Sequence, residues 1–333
     1  MRPIRVLHVG LGPIGVAALQ QVLSSDRFRA VGGVDLDPAL IGRDLGAVAG
    51  SPRPAGVRIQ RDLSKALAST RPDVVVHCTS SSIARVSTEL KAILDRRVAI
   101  VSTTEELAYP WRAHAPEARR VDARARRAGV AVLGTGVNPG FAMDALPIAL
   151  TAACSEVSRV RISRVQDARI RRRPFQVKIG AGLTTLEFRR RVRAGTVGHV
   201  GITESISMIA DALGWRLDRI TDRVRPKIAT RPVASRFLRV RAGQVAGIVQ
   251  DGAGYRKGRV LIRLHMEAYL GAPDTYDEVE IGGVPKISMR IGTGLHGDLA
   301  TPSLVVNSIL AVLAASPGLH TMRSLPLPSF SPR

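Results

Sequence analysis

Residues 4–35, IRVLHVGLGPIGVAALQQVLSSDRFRAVGGVD, decide the fold of this chain. An apolar strand pattern (residues 4–9) runs directly into the glycine turn GLGPIG (residues 10–15), and a helical pattern follows. A second apolar strand then ends at Asp35, about 20 residues after the turn. Strand, glycine turn, helix, strand and acid in this order form one βαβ unit, and this unit is typical of dinucleotide binding.

Each position of the glycine turn has a predicted role. Gly10 permits the tight turn, Gly12 lets backbone amides approach a pyrophosphate, and Gly15 allows the helix to pack closely on the strand. The helix begins at Pro13 and Ile14, and its N-terminus offers partial positive charge to phosphates. We therefore expect these five residues to bind a dinucleotide coenzyme.

The acid that ends the second strand bears on the choice of coenzyme. Asp35 would accept hydrogen bonds from the adenosine ribose and repel a 2′-phosphate, which favours NAD over NADP. Asp37 competes with Asp35 for this role. Arg43 could pair with a 2′-phosphate, so the sequence leaves NADP open.

Strands and helices continue to alternate as far as residue 137. Apolar strand patterns cover residues 57–60, 73–78, 99–102 and 130–133, with helices between them, including a strongly basic one at 112–128. Such alternation predicts a parallel, doubly wound α/β sheet. We assign residues 1–137 to a dinucleotide-binding domain.

The pattern changes after residue 138. Longer runs of alternating apolar residues at 245–249, 260–270 and 279–291 predict a second, α+β domain with a mixed or antiparallel sheet over residues 138–300. Residues 301–333, with a helix at 302–315, are expected to pack back on the first domain.

Short hydroxyl side chains follow the strand at residues 73–78. Thr79, Ser80 and Ser81 lie where doubly wound sheets bind ligands, and they could line the nicotinamide ribose and the phosphates. A serine run also suits a helix N-cap, and the sequence does not separate the two roles. Cys78 is interpreted as a packed strand thiol rather than a nucleophile.

Two adjacent acids follow the next strand, in the segment STTEEL (residues 102–107). A capping box fits both Thr103 with Glu106 and Ser102 with Glu105, so the pattern does not say which acid caps a helix. A carboxylate held in an apolar pocket has a raised pKa and serves as general acid or base. Thr103 is predicted to contact the coenzyme.

Three further candidates lie near or beyond the domain boundary. Asn138 could donate to the coenzyme amide or to a substrate oxygen, or could be a turn residue. Phe141 could form a pocket wall or pack at the hinge. His199 could be a polar pocket residue, or a histidine whose hydrogen bonds serve only the fold. No spacing of His, Cys or carboxylate residues predicts a metal site.

Composition excludes several classes of protein. Of the 333 residues, 45% are apolar, which excludes disorder, and two cysteines do not make a disulfide scaffold. The longest apolar tract, residues 304–315, is too short to span a bilayer. A strand pattern begins almost at Met1, leaving no room for a signal peptide. A cytoplasmic protein is expected.

The net charge of +22 would attract polyanions, but the basic residues are spread along the whole chain. Aromatic residues make up only 4% of the chain and do not interleave with the basic runs. This pattern favours a solvated, salt-bridged surface, and nucleic acid is not an expected partner.

Together these segments resemble the 2,4-diaminopentanoate dehydrogenase and native amine dehydrogenase family, which is related to 4-hydroxy-tetrahydrodipicolinate reductases. The resemblance rests on strings spread over nearly the whole chain, namely GLGPIG, VHCTSS, STTEELAYPW, NPGFAMDALP, GHVGITES, HGDLATPSLVVNSI and PGLHTMRSLPLP. The doubled-histidine and DAPSGTA strings of the dipicolinate reductases are absent, which argues against a cyclic dicarboxylate substrate.

The resemblance implies a Rossmann domain, a substrate domain that also builds a homodimer, and NAD(P)-dependent reductive amination of a ketone or aldehyde with ammonia. The family's catalytic carboxylate maps to Glu105, and Phe141 matches a substrate-pocket aromatic. Thr104, next to Glu105, is expected in the same pocket. A reductase of cyclic imines and a non-catalytic nucleotide-binding regulator are the alternatives.

Overall fold

The computed structural model of the chain describes residues 2–330. Its first elements are strand β1 (Ile4–Val9), helix α1 (Pro13–Leu23) and strand β2 (Phe28–Val34), in the predicted order. The two strands pair in parallel. Proline is accommodated at the start of α1 because the first N–H of a helix has no intrahelical acceptor.

Six strands of the first sheet come from residues before 135. The next elements are α2 (Leu45–Val48), β3 (Ile59–Gln60), α3 (Leu63–Thr70), β4 (Val74–His77), α4 (Ile83–Asp95), β5 (Ala99–Ser102), α5 (Ala115–Ala128) and β6 (Ala131–Gly134). The strand order β6-β5-β4-β1-β2-β3 is parallel throughout and reverses direction between β1 and β4. In such sheets ligands bind outside the carboxyl ends of the strands, at this reversal.

The central strands are apolar without alternation because both of their faces are covered. Every residue of β4, β5 and β6 is buried. On one face, Leu7 and Val75 pack with Ile83, Leu90 and Val121 from α4 and α5 in a single apolar core. The predicted parallel, doubly wound sheet is confirmed. The basic helix begins at Ala115 rather than at residue 112.

The second unit, Ala142–His296, carries a separate sheet. Its elements are α6 (Ala145–Thr151), β7 (Glu156–Asp167), α7 (Arg173–Lys178), α8 (Thr185–Arg193), α9 (Ile202–Ala212), β8 (Arg219–Ile228), β9 (Val233–Ala234), β10 (Arg239–Val240), β11 (Val245–Arg256), β12 (Arg259–Tyr269), β13 (Tyr276–Val284) and β14 (Ile287–Ile291). The six-stranded order is β14-β13-β7-β12-β11-β8. Only β7 and β12 pair in parallel, which confirms the predicted mixed sheet.

One strand prediction in this unit was wrong, and strand β8 was missed. The segment 279–291 is not one strand but two, β13 and β14, which pair antiparallel across a turn at Pro285. Strand β8 was not predicted, because its half-buried and exposed positions do not alternate regularly, none of its residues is buried, and its sequence is rich in charge. Edge strands of this kind give a weak apolar period.

The remaining residues return to the first unit, which comprises the chain up to Phe141 and from Gly297 onward. They form α10 (Gly297–Asn307), α11 (Ile309–Ala314) and β15 (Gly318–His320). Strand β15 pairs in parallel with β6 and becomes the seventh strand. The single helix predicted at 302–315 is therefore two helices, and the short strand was missed.

The segment Gly297–Ala314 is the one helical stretch in the described part of the chain that is long and apolar enough to span a bilayer. Its residues Val305, Ile309 and Val312 are buried, and its two helices pack on α1, β5 and β6. A core helix satisfies the same length and composition criterion, and this packing accounts for its apolar character.

Candidate active site

The glycine turn lies at the reversal point of the first sheet, and its geometry requires glycine at two positions. Gly10 has φ +84°, and a Cβ there would lie 2.4 Å from the carbonyl oxygen of Cys78. A Cβ on Gly15 would lie 2.0 Å from the carbonyl oxygen of Gly10. Any side chain at either position would therefore force the helix and the strands apart.

Gly12 differs from its two neighbours because a Cβ there would meet nothing within 4 Å. It is the N-cap residue of α1, no side chain caps this helix, and its first turn holds no acid. Pro13 is exposed and Ile14 is half-buried. The space beside Gly12 at the start of α1 is therefore open, as the approach of a dinucleotide's pyrophosphate requires.

The structure distinguishes the two acids after β2. Asp35 accepts a hydrogen bond from the backbone N–H of Leu11 at 2.6 Å, and its other oxygen accepts from the N–H of Asp37 at 2.8 Å. The carboxylate of Asp37 instead accepts from the N–H of Ala39 in its own turn. Asp35 is thus tied to the glycine turn, whereas Asp37 and Arg43 are exposed.

The hydroxyl residues after β4 are held by several different groups. Thr79 Oγ1 donates to the carboxylate of Glu89 at 2.9 Å, and Ser80 Oγ accepts from the N–H of Ser82. The carbonyl oxygen of Ser81 accepts from the N–H of Glu106. The N-cap residue of α4 is Ser82, but its hydroxyl does not cap the helix.

Cys78 is the packed thiol that the sequence predicted. Burial raises its pKa to about 12, so the thiolate that a nucleophile needs does not form near neutral pH.

The adjacent acids Glu105 and Glu106 open a three-residue 3₁₀ turn, and they are used differently. No side chain caps this turn, whose N-cap residue is Thr104, so neither predicted capping box forms. Glu106 instead accepts a hydrogen bond at 2.8 Å from the N–H of Ile83, the first residue of α4, and lies 3.6 Å from His114 Nε2. A carboxylate from a neighbouring turn therefore caps this helix.

Glu105 remains half-buried directly beyond the carboxyl end of β5. Thr103 is half-buried, and its backbone N–H donates to the carbonyl oxygen of His77. Thr104 is buried, and its hydroxyl accepts from Ser102 Oγ at 3.0 Å. The glycine turn, Asp35, the hydroxyl residues and Glu105 thus follow the carboxyl ends of four strands of one sheet.

Two other candidates follow β6. Asn138 is buried and Phe141 is half-buried. The backbone between them turns sharply at Gly140, where a Cβ would lie 2.6 Å from the backbone nitrogen of Gly136. The N–H of Val137 is anchored by Thr301 Oγ1 at 3.2 Å. This crossover is therefore fixed by contacts within the first unit.

His199 belongs to the second unit, and its backbone is held by a buried amide. The N–H of His199 donates to Gln250 Oε1 at 2.8 Å, and Gln250 Nε2 donates to the carbonyl oxygen of His199 at 2.9 Å. The same nitrogen donates to Asp222, whose pKa is raised by burial. The sequence analysis did not identify Gln250. The signal that could have found it was a polar residue within an otherwise apolar strand pattern.

Sequence reasoning also missed a buried polar cluster at the carboxyl ends of β4 and β5. His77 is fully buried, with Nδ1 3.0 Å from Ser102 Oγ and Nε2 2.7 Å from Glu89 Oε2. Partial burial raises the pKa of Glu89, but hydrogen bonds from His77 and Thr79 outweigh it and leave that pKa below its ordinary value. No group of three or more His, Cys, Asp or Glu side chains within residues 2–330 is arranged to hold a metal ion.

A parallel sheet with this strand order, a glycine turn at its reversal point and an acid after β2 defines a Rossmann-type dinucleotide-binding protein. Residues 141–331 match the family described as the 2,4-diaminopentanoate dehydrogenase C-terminal domain. The chain is also 34% identical to the 2,4-diaminopentanoate dehydrogenase of Acetoanaerobium sticklandii, over 98% of this chain and 95% of that protein. It belongs to the 2,4-diaminopentanoate dehydrogenase family, as the sequence motifs predicted.

Two further relatives are amine dehydrogenases. The enzyme of Streptomyces virginiae is 25% identical, over 96% of this chain and 95% of its own. The structure of the amine dehydrogenase from Mycobacterium smegmatis matches with a TM-score of 0.89 at 24% identity, over 98% of this chain and 97% of that one. This structural likeness extends the shared fold to both units of the chain.

Proposed function

We propose that the protein is an NAD(P)-dependent amine dehydrogenase, which catalyses the reversible reductive amination of a ketone or aldehyde with ammonia. Membership of the 2,4-diaminopentanoate dehydrogenase family over nearly the whole chain supports this reaction class. The names of its relatives suggest an aliphatic amine or diamino acid as the substrate in the oxidative direction.

The residues of the first unit fit a nicotinamide dinucleotide. The open space beside Gly12 and the uncapped N-terminus of α1 would receive the pyrophosphate. The carboxylate of Asp35, held by two backbone N–H groups, would accept hydrogen bonds from the ribose hydroxyls. Its charge would repel a 2′-phosphate, so we propose a preference for NAD, with Arg43 as the exposed cation available to NADP.

Glu105 is the proposed catalytic residue. It would take a proton from ammonium, orient the amine against the carbonyl carbon, and stabilise the iminium cation that forms on loss of water. A bound reduced nicotinamide would supply the hydride that converts the iminium to the amine. In the oxidative direction the same carboxylate would stabilise the iminium before water adds.

One observation supports this assignment, namely the half-buried position of Glu105 directly beyond the carboxyl end of β5. The carboxylate of Glu106 caps the N-terminus of α4, and moving it into a substrate pocket would break that hydrogen bond. Glu105 follows a fully buried strand and is itself half-buried, which supports a role at the sheet edge where Rossmann proteins bind the reactive end of a dinucleotide. Asn138, Phe141 and His199 remain proposed pocket residues, and Thr104 would contribute mainly by fixing the turn.

The test is an ammonia-dependent assay on Glu105→Gln, with Glu106→Gln as the matched control. Oxidation of NADH and of NADPH is followed with short aldehydes and ketones, with and without ammonium, and coenzyme affinity is measured by nicotinamide fluorescence. We expect Glu105→Gln to lower kcat by about 10²–10⁴-fold with coenzyme affinity unchanged, since a positioned acid or base contributes that much. Glu106→Gln should keep most of its turnover.

Other outcomes would redirect the proposal. Turnover that needs no ammonium would indicate a reductase of cyclic imines. Coenzyme binding without turnover, together with salt-sensitive DNA binding, would indicate a nucleotide-binding regulator. Loss of turnover in Glu106→Gln but not in Glu105→Gln would move the catalytic role by one residue.

We also propose that the protein is a cytoplasmic homodimer. One face of the mixed sheet carries half-buried or exposed polar side chains such as Arg161, Arg263, His265 and Glu280 rather than an apolar core. Such a face is a reasonable surface for a second copy, and sedimentation equilibrium would measure the mass. Cys78 and Cys154 are not joined in a disulfide, in keeping with a reducing compartment.

A further inference from the structure

A continuous line of hydrogen bonds runs beneath the turn that carries Glu105. It begins at the carboxylate of Glu89 on α4, which lies 2.7 Å from Nε2 of His77. Nδ1 of the same ring lies 3.0 Å from Ser102 Oγ, and Ser102 Oγ donates to Thr104 Oγ1 at 3.0 Å. These four side chains connect a helix, two strands and the turn.

The register of the sheet makes this line rigid. His77 and Ser102 are directly paired residues on the parallel strands β4 and β5, and both are fully buried. The carboxylate of Glu89 on one ring nitrogen determines how the imidazole is oriented, so the other nitrogen is held facing Ser102. Thr79 Oγ1 donates to the same carboxylate oxygen and holds it in place.

Ser102 passes this constraint to the turn through two contacts. Besides donating to the Thr104 hydroxyl, its oxygen accepts the backbone N–H of Thr104 at 3.1 Å. Thr104 is the N-cap residue of the 3₁₀ turn, and its carbonyl oxygen accepts from the N–H of Leu107. The carbonyl oxygen of Glu105 accepts from the N–H of Ala108 in the same turn. The placement of Thr104 thus sets the backbone from which the side chain of Glu105 projects.

We propose that His77 is a positioning residue, which holds the turn bearing Glu105 through Ser102 and Thr104. Because its ring is fully buried, we assign it no contact with substrate or coenzyme. The inference rests on the proposed role of Glu105, because the functional value of the turn depends on the acid it carries. Its physical basis is that misplacing a catalytic group by about 1 Å costs on the order of 10²-fold in rate.

Three variants separate positioning from simple stability. His77→Leu removes both ring contacts, and Ser102→Ala removes the link to the turn. His77→Asn keeps a polar nitrogen or oxygen near the position of Nδ1 and is the rescuing variant. His8→Leu is the matched control, because His8 is a fully buried histidine on the neighbouring strand β1.

We expect His77→Leu and Ser102→Ala to lower kcat by about 10–100-fold with the KM for coenzyme within about twofold, since the turn moves but the glycine site does not. His77→Asn should recover most of that loss, and His8→Leu should show none. In a Glu105→Gln background, His77→Leu should cause little further loss, because the two residues act as one unit.

A second readout is independent of turnover. Hydrogen exchange at the amides of Leu107 and Ala108 should become roughly tenfold faster or more in His77→Leu and Ser102→Ala, and not in His8→Leu. Unchanged exchange at these amides overturns the inference even in a protein with no measurable activity. If the wild type lacks ammonia-dependent turnover, the proposed function fails while the exchange result still decides the role of His77.

Discussion

Two neighbouring strands of the first sheet each bury one histidine completely, and the two rings have opposite surroundings. His77 on β4 has three polar side chains around it, those of Ser102, Glu89 and Thr79. His8 on β1 has no hydrogen-bond partner for either ring nitrogen among residues 2–330. They lie on opposite faces of the sheet, because His8 pairs with Val76 and His77 with Val9.

The difference shows what a buried polar ring needs in order to define geometry. Without partners, a buried imidazole must stay neutral, and burial lowers the pKa of His8 to about 3. With partners on both nitrogens, His77 has one favoured orientation and links three elements of the fold. Burial alone therefore does not mark a functional histidine, whereas the chemistry around the ring does.

The largest expected effect comes from removing the partner of another buried basic side chain, Arg164, so that it has no ion-pair partner. Arg164 is 1% exposed, and its guanidinium donates to Asp277 at 2.6 Å. Unlike histidine, arginine cannot shed its proton. Asp277→Ala should cost about 3–5 kcal/mol of unfolding free energy, because it leaves an unpaired buried charge. Urea unfolding at pH 7 measures this loss.

Asp274→Ala is the control for that experiment. Asp274 pairs with Arg290 at 2.6 Å on the surface, where both side chains are largely exposed. An exposed pair of this kind contributes at most about 1 kcal/mol. Equal losses in the two variants would show that burial does not govern the energetics of these pairs.

A smaller effect is expected from His8→Leu, and it depends on pH. The folded pKa of His8 is about 3 and its ordinary value is 6.5, so below pH 6.5 the unfolded chain binds a proton that the folded chain does not. The wild type should therefore lose stability as the pH falls, by about 2 kcal/mol between pH 7 and 5. His8→Leu should remove that loss and leave stability at pH 7 within about 1 kcal/mol.

Urea unfolding of both proteins at pH 7, 6 and 5 measures this pH dependence. The wild-type and His8→Leu curves should diverge as the pH falls. Parallel curves would mean that His8 is protonated in the folded protein, and the contrast with His77 would disappear.

The smallest effect concerns the helix that brings Glu89 to His77. Glu106→Gln keeps an oxygen to accept from the N–H of Ile83 but removes the charge at the N-terminus of α4. We expect a loss of about 0.3–1 kcal/mol, the usual interaction of a charge with a helix end. Thermal or urea unfolding detects it, with the exposed Glu156→Gln on β7 as control. A gain in stability would contradict this account of Glu106.

Much of the first unit was predictable because its signals are contiguous. The glycine turn, the apolar strands that follow it and the acid after β2 are each read from neighbouring residues, and the family strings add the reaction class. The unpredicted strands β8 and β15 had no such signal. Strand β15 has three residues, and it is a strand only because β6 pairs with it.

The candidate site divides in the same way. That two acids follow β5 was visible in the sequence, but which of them caps a helix was not. The two capping boxes that fit the spacing do not form, because Glu106 reaches a helix that begins 23 residues earlier. Two of the three partners of His77, Glu89 and Ser102, lie 12 and 25 positions away in the chain, beyond the reach of any local pattern.

The sequence by itself determined the parallel sheet, the glycine turn and the family, because periodicity and turn chemistry depend on residues close together in the chain. Only the tertiary structure decided how Glu105 and Glu106 differ, and which of the two buried histidines has hydrogen-bond partners. Those outcomes depend on which strand ends and helix termini meet in space, and pairing across a sheet is set by the whole fold rather than by the segment that carries the residue.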